Sequence, residues 1–313
     1  MRAIYNDLMT LRHVISAEQF DRRFLDGLFD DADTMAAALH SGTPPVSACG
    51  RIMATLFYEP STRTRLSFEA AMHRLGGSVI STENAREFSS AAKGETVADT
   101  VRIVGGYADV IVIRHYERDS AEIASRFSPV PVINAGAGAG EHPSQAFLDL
   151  YTMKKEKGRI DGLKIALVGD LLHGRTVHSL ARLLPLYDGM EIFFVSPPEL
   201  RIPEEYVECL GRKGVLYNET HDFRAVEDAD IIYMTRVQKE RFSSEKKYAR
   251  AKNCYVLGRK ALGSLKHDAV IMHPLPRVGE VSPDIDSDQR AAYFRQAMNG
   301  LYVRMALLKH VLS

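Results

Sequence analysis

Five consecutive side chains that can bind an anion separate an apolar segment from an amphipathic one: Ser61, Thr62, Arg63, Thr64 and Arg65. If a strand ends before them and a helix begins among them, free backbone N–H groups and the helix dipole favour a negative charge there. The hydroxyl groups add donors, and Arg63 and Arg65 can each form charge-assisted hydrogen bonds. The spacing is not that of a nucleotide-binding P-loop. We therefore predict a phosphate cradle; the alternative is an ordinary helix N-cap with two solvated arginines.

Two more segments of the first half of the chain place polar side chains after apolar runs. Arg114 directly follows the run 109–113, and His142 and Gln145 follow the glycine-rich stretch 134–140. Their spacing of three residues projects His142 and Gln145 from the same end of a helix that begins near Pro143. Taken alone, Arg114 is equally consistent with a surface charge, and a lone histidine is more often structural. Their common position at strand ends favours a site.

The second half of the chain offers three similar positions. Arg175 stands near the start of a predicted helix, where its charge opposes the dipole, and this hints at an anionic ligand. Arg236 and Gln238 follow another apolar run and suit a carboxylate, although a mobile charged loop has the same composition. Prolines stiffen residues 273–277, so carbonyl oxygens there could face an NH₂ group; the alternative is a rigid turn.

Short apolar runs typical of strands alternate with helical patterns along the chain. A capping box at residues 16–19 predicts that a helix opens there and carries Phe20. The predicted strands are Ile52–Phe57, Val110–Ile113, Val130–Ile133, Lys164–Gly169, Ile192–Val195, Ile231–Met234 and Val270–Met272. The other predicted helices are Thr62–Leu75, Val97–Tyr107, Ser120–Phe127, Pro143–Lys157, Thr176–Tyr187, Asp288–Met298 and Leu301–Leu312.

This alternation predicts an α/β fold of two doubly wound domains, each with a parallel sheet flanked by helices. We expect residues 1–150 to form the first domain and residues 151–292 the second, with a C-terminal helix, 293–313, packed back on the first. Ligands of such folds bind at the carboxyl ends of the strands. The polar segments described above fall at those ends.

Composition excludes several classes of function. The chain has 313 residues, 45% of them hydrophobic and 26% charged, as in a globular protein with room for two cores. Lys and Arg total 40, as do Asp and Glu, so no global field attracts nucleic acid or a membrane. Three scattered cysteines favour reduced thiols over disulfides or a zinc site.

The sequence shows no signal-peptide pattern and no long apolar run, which predicts a cytoplasmic protein. No spacing typical of metal ligands and no nucleophile–base pair is evident, so we expect neither a metal nor a cofactor. The candidate residues instead suit the binding of two anions and the stabilisation of developing charge.

In their order, the six polar segments resemble those of the aspartate carbamoyltransferase family over nearly the whole chain. The segment Ser61–Glu69 and the pattern His142–Gln145 are shared with ornithine carbamoyltransferases. Arg236, Gln238 and the segment His273–Pro276 favour aspartate, because the ornithine enzymes carry a cysteine in that last motif.

The resemblance implies a role for each candidate residue. The phosphate of carbamoyl phosphate would be held by Ser61, Thr62, Arg63 and Thr64. Its carbonyl oxygen would be contacted by Thr64, Arg114 and His142. Its NH₂ group would be held by Gln145 and by the carbonyls of Leu275 and Pro276. The carboxylates of L-aspartate would be bound by Arg175, Arg236 and Gln238.

The resemblance also implies partners. Ser89 and Lys93 would reach the site from a neighbouring subunit, with Lys93 contacting both substrates, so the smallest active unit would be a homotrimer. Glu59 would pair with Arg175 and Arg241 when the domains close on the substrates. Some members of the family also bind a separate zinc-containing regulatory chain; whether this chain does is left open.

The implied reaction transfers the carbamoyl group to the amine of L-aspartate, releasing phosphate, in de novo pyrimidine biosynthesis. One alternative is a carbamoyltransferase for another amine, such as ornithine. Another is a nucleotide-binding regulatory protein that uses residues 168–175 as a dinucleotide turn, although the glycine pattern of such turns is missing.

Overall fold

The computed structural model describes residues 13–43, 45–138, 140–237, 245, 248 and 254–313. The chain divides into two compact units. The first runs to Phe147 and includes Asn299–Ser313, and the second is Leu148–Met298. In the described ranges, no helix combines the length and the apolar character needed to cross a membrane.

The first unit contains a four-stranded parallel sheet. Its strands are β1 (Ile52–Phe57), β2 (Ser78–Glu83), β3 (Val110–His115) and β4 (Val132–Ala137). They lie in the order β2-β1-β3-β4, so the strands that follow β1 in the chain lie on opposite sides of it. The boundary between β1 and β3 is therefore a topological switch point, where open α/β sheets bind ligands.

Helices join and flank these strands. They are α1 (Arg22–His40), α2 (Thr62–Arg74), α3 (Ala85–Phe88), α4 (Val97–Val104), α5 (Ser120–Phe127) and α6 (Pro143–Lys157). Leu56 of β1, Ile111 of β3 and Val132 of β4 belong to one buried apolar cluster. Burial of apolar side chains in such a cluster is the main stabilising term of the sheet.

The second unit contains a five-stranded parallel sheet. Its strands are β5 (Lys164–Val168), β6 (Glu191–Val195), β7 (Leu216–Thr220), β8 (Ile231–Met234) and β9 (Val270–Met272). Their order is β7-β6-β5-β8-β9, which places a second switch point between β5 and β8. The helices are α7 (Arg175–Leu183), α8 (Glu204–Arg212), α9 (Arg259–Leu262) and α10 (Tyr293–Leu312), whose last residues belong to the first unit.

The predicted α/β class and the parallel sheets are confirmed, but two strands were missed. Both β2 and β7 are edge strands with mostly exposed residues. An edge strand with solvated faces needs no apolar run, so its sequence lacks the signal used for the buried strands. Strand β4 also continues to Ala137, beyond the predicted Ile133. Its last residues are buried in the structure, but they are small and in sequence are typical of a loop, so the prediction ended the strand too early.

Predictions at the two ends of the chain need correction. The capping box at Ser16 is present, but it caps the N-terminus of a short 3₁₀ helix, Ala17–Gln19. The helix α1 begins later, and its N-cap is Asp21, whose side chain accepts from the N–H of Phe24. At the other end, the two predicted helices form one continuous helix, α10, which begins at Tyr293 rather than at Asp288 and includes Gly300. Gly300 is buried, so packing offsets its helix cost of about 1 kcal/mol.

Candidate active site

The predicted phosphate cradle occupies the junction of β1 and α2. Ser61 is the N-cap of α2, its side chain makes no capping hydrogen bond, and its carbonyl accepts from the N–H of Arg65 at 3.1 Å. Thr62 and Arg63 are exposed, whereas Thr64 is buried under the first turn. The N-terminus of α2 thus follows the carboxyl end of β1, as the sequence predicted, with hydroxyl donors around it, and the strand order places this end at the first switch point.

Arg65, which the sequence offered beside Arg63 as a possible cation for the same anion, is paired with carboxylates in the structure. Its guanidinium group turns away from the cradle to Glu69 at 3.1 Å and to Glu83 at 2.8 Å. Its Nη1 also donates to the hydroxyl of Ser81 at 3.2 Å. Glu69 follows Arg65 by four residues on one helix face, a spacing that could have predicted this pair. Glu83 and Ser81 belong to the missed strand β2, so the sequence offered no sign of them.

Arg114 lies at the carboxyl end of β3, next to the cradle. It is paired in register with Phe57, the last residue of β1. Its Nη1 donates to the carbonyl of Ala135 on β4 at 3.4 Å, and its Nε lies 3.7 Å from Glu59 Oε2. The Arg114 side chain is only 13% exposed. A guanidinium group is therefore held at the switch point by groups from three strand ends.

Two neighbouring aromatic residues were not found from the sequence. The rings of Tyr58 and His115 lie with their centroids 4.5 Å apart, beside Arg114. Burial lowers the pKa of His115, and its Nδ1 accepts from the N–H of Glu117 at 3.0 Å. His115 therefore adds no positive charge next to Arg114. Its adjacency to Arg114 in the chain was the one sequence signal for this contact.

His142 and Gln145 stand at the N-terminus of α6, and Pro143 is its first residue as predicted. The carbonyl of His142 accepts from the N–H of Gln145 at 3.0 Å, and both side chains are buried. The loop before them is tied to the sheet, because the N–H of Gly138 donates to the carbonyl of His115 at 2.9 Å. The carboxyl ends of β1, β3 and β4 thus bring the first three predicted segments to one edge of the sheet.

Ser89 and Lys93 lie on the segment between β2 and α4. Ser89 caps the 3₁₀ helix Ser90–Lys93 and accepts from the N–H of Ala91 at 3.1 Å. Lys93 is exposed at the end of that helix. Their predicted contribution to a neighbouring subunit stays a prediction.

The second unit gathers its candidate residues at its own switch point. Arg175 is the first residue of α7, after β5, and Arg236 follows β8, the neighbouring strand. Gly169 has a φ of +116°, and a Cβ there would lie 2.3 Å from the carbonyl oxygen of Thr235. This close approach of the two strand ends requires a glycine. Both arginines are half-buried, and Gln238 and Arg241 lie outside the described residues.

Leu275 and Pro276 follow β9, the next strand along the sheet. Leu275 has a φ of +55°, and its N–H donates to Nδ1 of His273 at 2.7 Å. Within the described part of the chain, no three His, Cys, Asp or Glu side chains are grouped as metal ligands. Apart from the carboxylate of Glu59, the candidate side chains at the two edges are hydroxyl, guanidinium, imidazole and amide groups, which suit anions and a developing negative charge.

The chain matches two family domains. Residues 12–155 match the carbamoyl-P binding domain of aspartate/ornithine carbamoyltransferases, and residues 161–311 match their Asp/Orn binding domain. Together with the two parallel sheets, these matches define a carbamoyltransferase.

Individual relatives show which branch of the carbamoyltransferases the chain belongs to. The chain is 52% identical over 304 residues to aspartate carbamoyltransferase 1, chloroplastic, of Pisum sativum, covering 96% of this chain and 79% of that protein. It is 50% identical to the aspartate carbamoyltransferase catalytic subunit of Methanothrix thermoacetophila, covering 98% of this chain and all of that protein. The structure of aspartate transcarbamoylase from Trypanosoma cruzi with N-(phosphonacetyl)-L-aspartic acid matches with a TM-score of 0.91 at 43% identity, over 96% of each chain. The chain belongs to the aspartate carbamoyltransferase family.

Proposed function

We propose that this chain transfers the carbamoyl group of carbamoyl phosphate to the amine of L-aspartate. The products are N-carbamoyl-L-aspartate and phosphate, in a step of de novo pyrimidine biosynthesis. The observation that carries this proposal is the cradle at the β1–β3 switch point with Arg114 beside it, in a chain of this family. A related structure from Trypanosoma cruzi, 42% identical, holds both carbamoyl phosphate and aspartate.

Carbamoyl phosphate binds to the first unit. Its phosphate accepts hydrogen bonds from the side chains and N-terminal amides at the start of α2, from Ser61, Thr62, Arg63 and Thr64. Arg63, which is exposed in the first turn of α2, is the arginine of the motif assigned to this phosphate, whereas Arg65 is engaged with Glu69 and Glu83. The resemblance adds Ser89 and Lys93 of a neighbouring subunit to the same phosphate.

The carbonyl oxygen of carbamoyl phosphate faces Thr64, Arg114 and His142. Attack by the aspartate amine makes this oxygen negative in the tetrahedral intermediate. Donors already in place stabilise that charge without reorganisation, and one such donor contributes about 2.7–4 kcal/mol. Arg114 is suited to this role because its guanidinium is largely buried and anchored to Ala135. The NH₂ group is held by Gln145 and by the carbonyl oxygens of Leu275 and Pro276.

L-Aspartate binds through its two carboxylates to residues of the second unit. Arg175 and Arg236, from neighbouring strand ends, and Gln238 supply the donors. A planar guanidinium can hold a carboxylate through two parallel hydrogen bonds. The resemblance to the family implies that the amine proton passes to an oxygen of the departing phosphate. The two anionic substrates repel each other in water, so holding them together in the site supplies much of the rate enhancement.

The assembly follows from the shared site. Because Ser89 and Lys93 serve a neighbouring copy, the active form is a homotrimer. We assign carbamoyl phosphate to the first unit and aspartate to the second, and the closure role that the resemblance gives Glu59, Arg175 and Arg241 stays a prediction. A cytoplasmic location stays a prediction, and the relative from Pisum sativum is named chloroplastic.

The test is transfer of labelled carbamoyl groups from carbamoyl phosphate to aspartate, with ornithine as the competing amine. Arg63→Ala should raise KM for carbamoyl phosphate, and Arg236→Ala should mainly raise KM for aspartate. Transfer to ornithine in place of aspartate would refute the acceptor assignment, since a pocket of arginines repels an ammonium group. Gel filtration with light scattering tests the trimer independently.

A further inference from the structure

Strand β4 is irregular directly opposite Arg114. The register of β3 and β4 shifts between Ile113 and His115. There, Arg114 faces two residues of β4, Ala135 and Gly136, an arrangement called a β-bulge. Bulges are rare between parallel strands, and they often redirect a side chain next to a functional site. This bulge lies beside the arginine that the mechanism above needs most.

The side chain of Asn134 holds the bulge. Its Oδ1 accepts from the N–H of Gly136 at 2.8 Å, and its Nδ2 donates to the carbonyl of Ile15 at 2.9 Å. A reversed amide would face its NH₂ group to an N–H and its oxygen to a carbonyl, so the two bonds fix its orientation. Asn134 is 3% exposed, and Gly136 has a φ of +118°, which glycine adopts at low cost.

One peptide group connects Asn134 to Arg114. The carbonyl of Ala135 and the N–H of Gly136 belong to this group, and in a trans peptide they point in opposite directions. The N–H donates to Asn134, and the carbonyl accepts from Nη1 of Arg114 at 3.4 Å. Because the group is planar, one end cannot turn without the other. The direction of the Ala135 carbonyl is therefore coupled to the Asn134 side chain.

The Ala135 carbonyl helps to define the orientation of the guanidinium. Nε of Arg114 lies 3.7 Å from Glu59, which follows β1, whereas Ala135 belongs to β4. The N–H donors of a guanidinium lie in a fixed plane, so acceptors from two strand ends restrict how that plane can turn. A donor that is already oriented stabilises developing charge without reorganisation.

We propose that Asn134 is a positioning residue that holds Arg114, through the bulge, in the orientation that faces the carbonyl oxygen of carbamoyl phosphate. The inference rests on the proposed function, which assigns Arg114 to that oxygen. Asn134, the bulge, Arg114 and Glu59 all belong to the first compact unit. The alternative is an asparagine that only stabilises the end of β4.

A matched pair of variants tests the coupling in the carbamoyl transfer assay. Asn134→Ala and Asn134→Ser both remove the bond to Ile15, but serine keeps an oxygen that can accept from the N–H two residues later. Asn134→Ala should lower kcat about tenfold, within the value of one hydrogen bond. Asn134→Ser should lower kcat by less than about threefold. Equal losses in the two variants, or a loss of about tenfold or more in the serine variant alone if the alanine variant does not fold, would overturn the inference.

A double-mutant cycle shows whether the effect passes through Arg114. In the Arg114→Ala background, Asn134→Ala should lower kcat by less than about twofold, because the group that it positions is already absent. An asparagine that only stabilises the strand would lower kcat by the same factor in both backgrounds, since independent effects add as free energies. That result would overturn the inference.

His13→Leu is the control for a general loss of stability. His13 is also buried, and its Nδ1 accepts from the N–H of Val132 at 3.1 Å, at the opposite, amino end of β4. This variant should lower Tm and leave kcat unchanged. A fall in kcat like that of Asn134→Ala would show that any loss of support for β4 impairs the reaction, and would overturn the inference.

Calorimetry with carbamoyl phosphate separates the two hypotheses. Asn134→Ala should weaken binding of carbamoyl phosphate in the wild-type background and leave it unchanged in the Arg114→Ala background. This coupling in a protein that transfers nothing to aspartate would refute the proposed function and leave the positioning role supported. A protein that transfers the group but loses kcat equally in both backgrounds would overturn only the positioning role.

Discussion

Replacement of Arg114 by alanine is the most direct test of how the site stabilises charge. Its guanidinium is 13% exposed, donates to the carbonyl of Ala135 at 3.4 Å and lies 3.7 Å from Glu59. In the proposed mechanism, the same group faces the oxygen that becomes negative. The alanine variant removes that donor and leaves the strand itself intact.

The expected loss follows from the role of one preorganised donor. Such a donor contributes about 2.7–4 kcal/mol to the transition state, so kcat should fall by about 10²–10³-fold. KM for carbamoyl phosphate should also rise, because Glu59 loses its cationic neighbour and repels the incoming phosphate. Arg114→Lys should be intermediate, since lysine keeps the charge but not the planar fork of donors.

The assay is steady-state transfer with each substrate saturating in turn, together with thermal unfolding of each variant. Arg51→Ala is the control: Arg51 pairs with Asp109 at 2.8 Å at the opposite, amino end of β1. This partly exposed pair should contribute at most about 1 kcal/mol to stability and nothing to kcat. If Arg114→Ala kept kcat within about threefold, under 1 kcal/mol of barrier, the charge-stabilising role would be refuted.

Three further predictions concern the framework. Gly169→Ala should lower the free energy of unfolding, measured in urea, by about 1–3 kcal/mol, because its φ is +116° and the added Cβ would clash with the Thr235 carbonyl. An unchanged unfolding midpoint would contradict this close approach. Arg65→Ala should lower the free energy of unfolding by about 1–3 kcal/mol, because its ion pairs are lost. It should leave KM for carbamoyl phosphate nearly unchanged, unlike Arg63→Ala. A large rise in that KM would show that Arg65 binds the phosphate. Burial lowers the pKa of His13 from 6.5 to about 4, so the unfolded chain gains a proton before the folded one as pH falls. Stability should therefore decline between those two pH values by on the order of 2 kcal/mol, and His13→Asn should flatten this slope in urea titrations; an unchanged slope would refute the assignment.

The strands of the two sheets show which elements could be predicted. β1, β8 and β9 have the predicted bounds, because strands covered on both faces need unbroken apolar runs. β2 and β7 were missed because edge strands can be polar. The helix starts at Thr62 and Pro143 were predicted correctly, since the hydroxyl and proline preferences of a helix N-terminus are local.

The sequence by itself determined that anion-binding side chains follow buried strands, because a strand end and the next helix start are neighbours in the chain. Only the tertiary structure decided which strand ends are adjacent, and this adjacency places Arg114 beside Glu59. It also decided that Arg65 pairs with Glu83. It also decided that His273 meets Glu280 and holds Leu275. These contacts depend on strand order and on side-chain packing, which no local pattern of residues specifies.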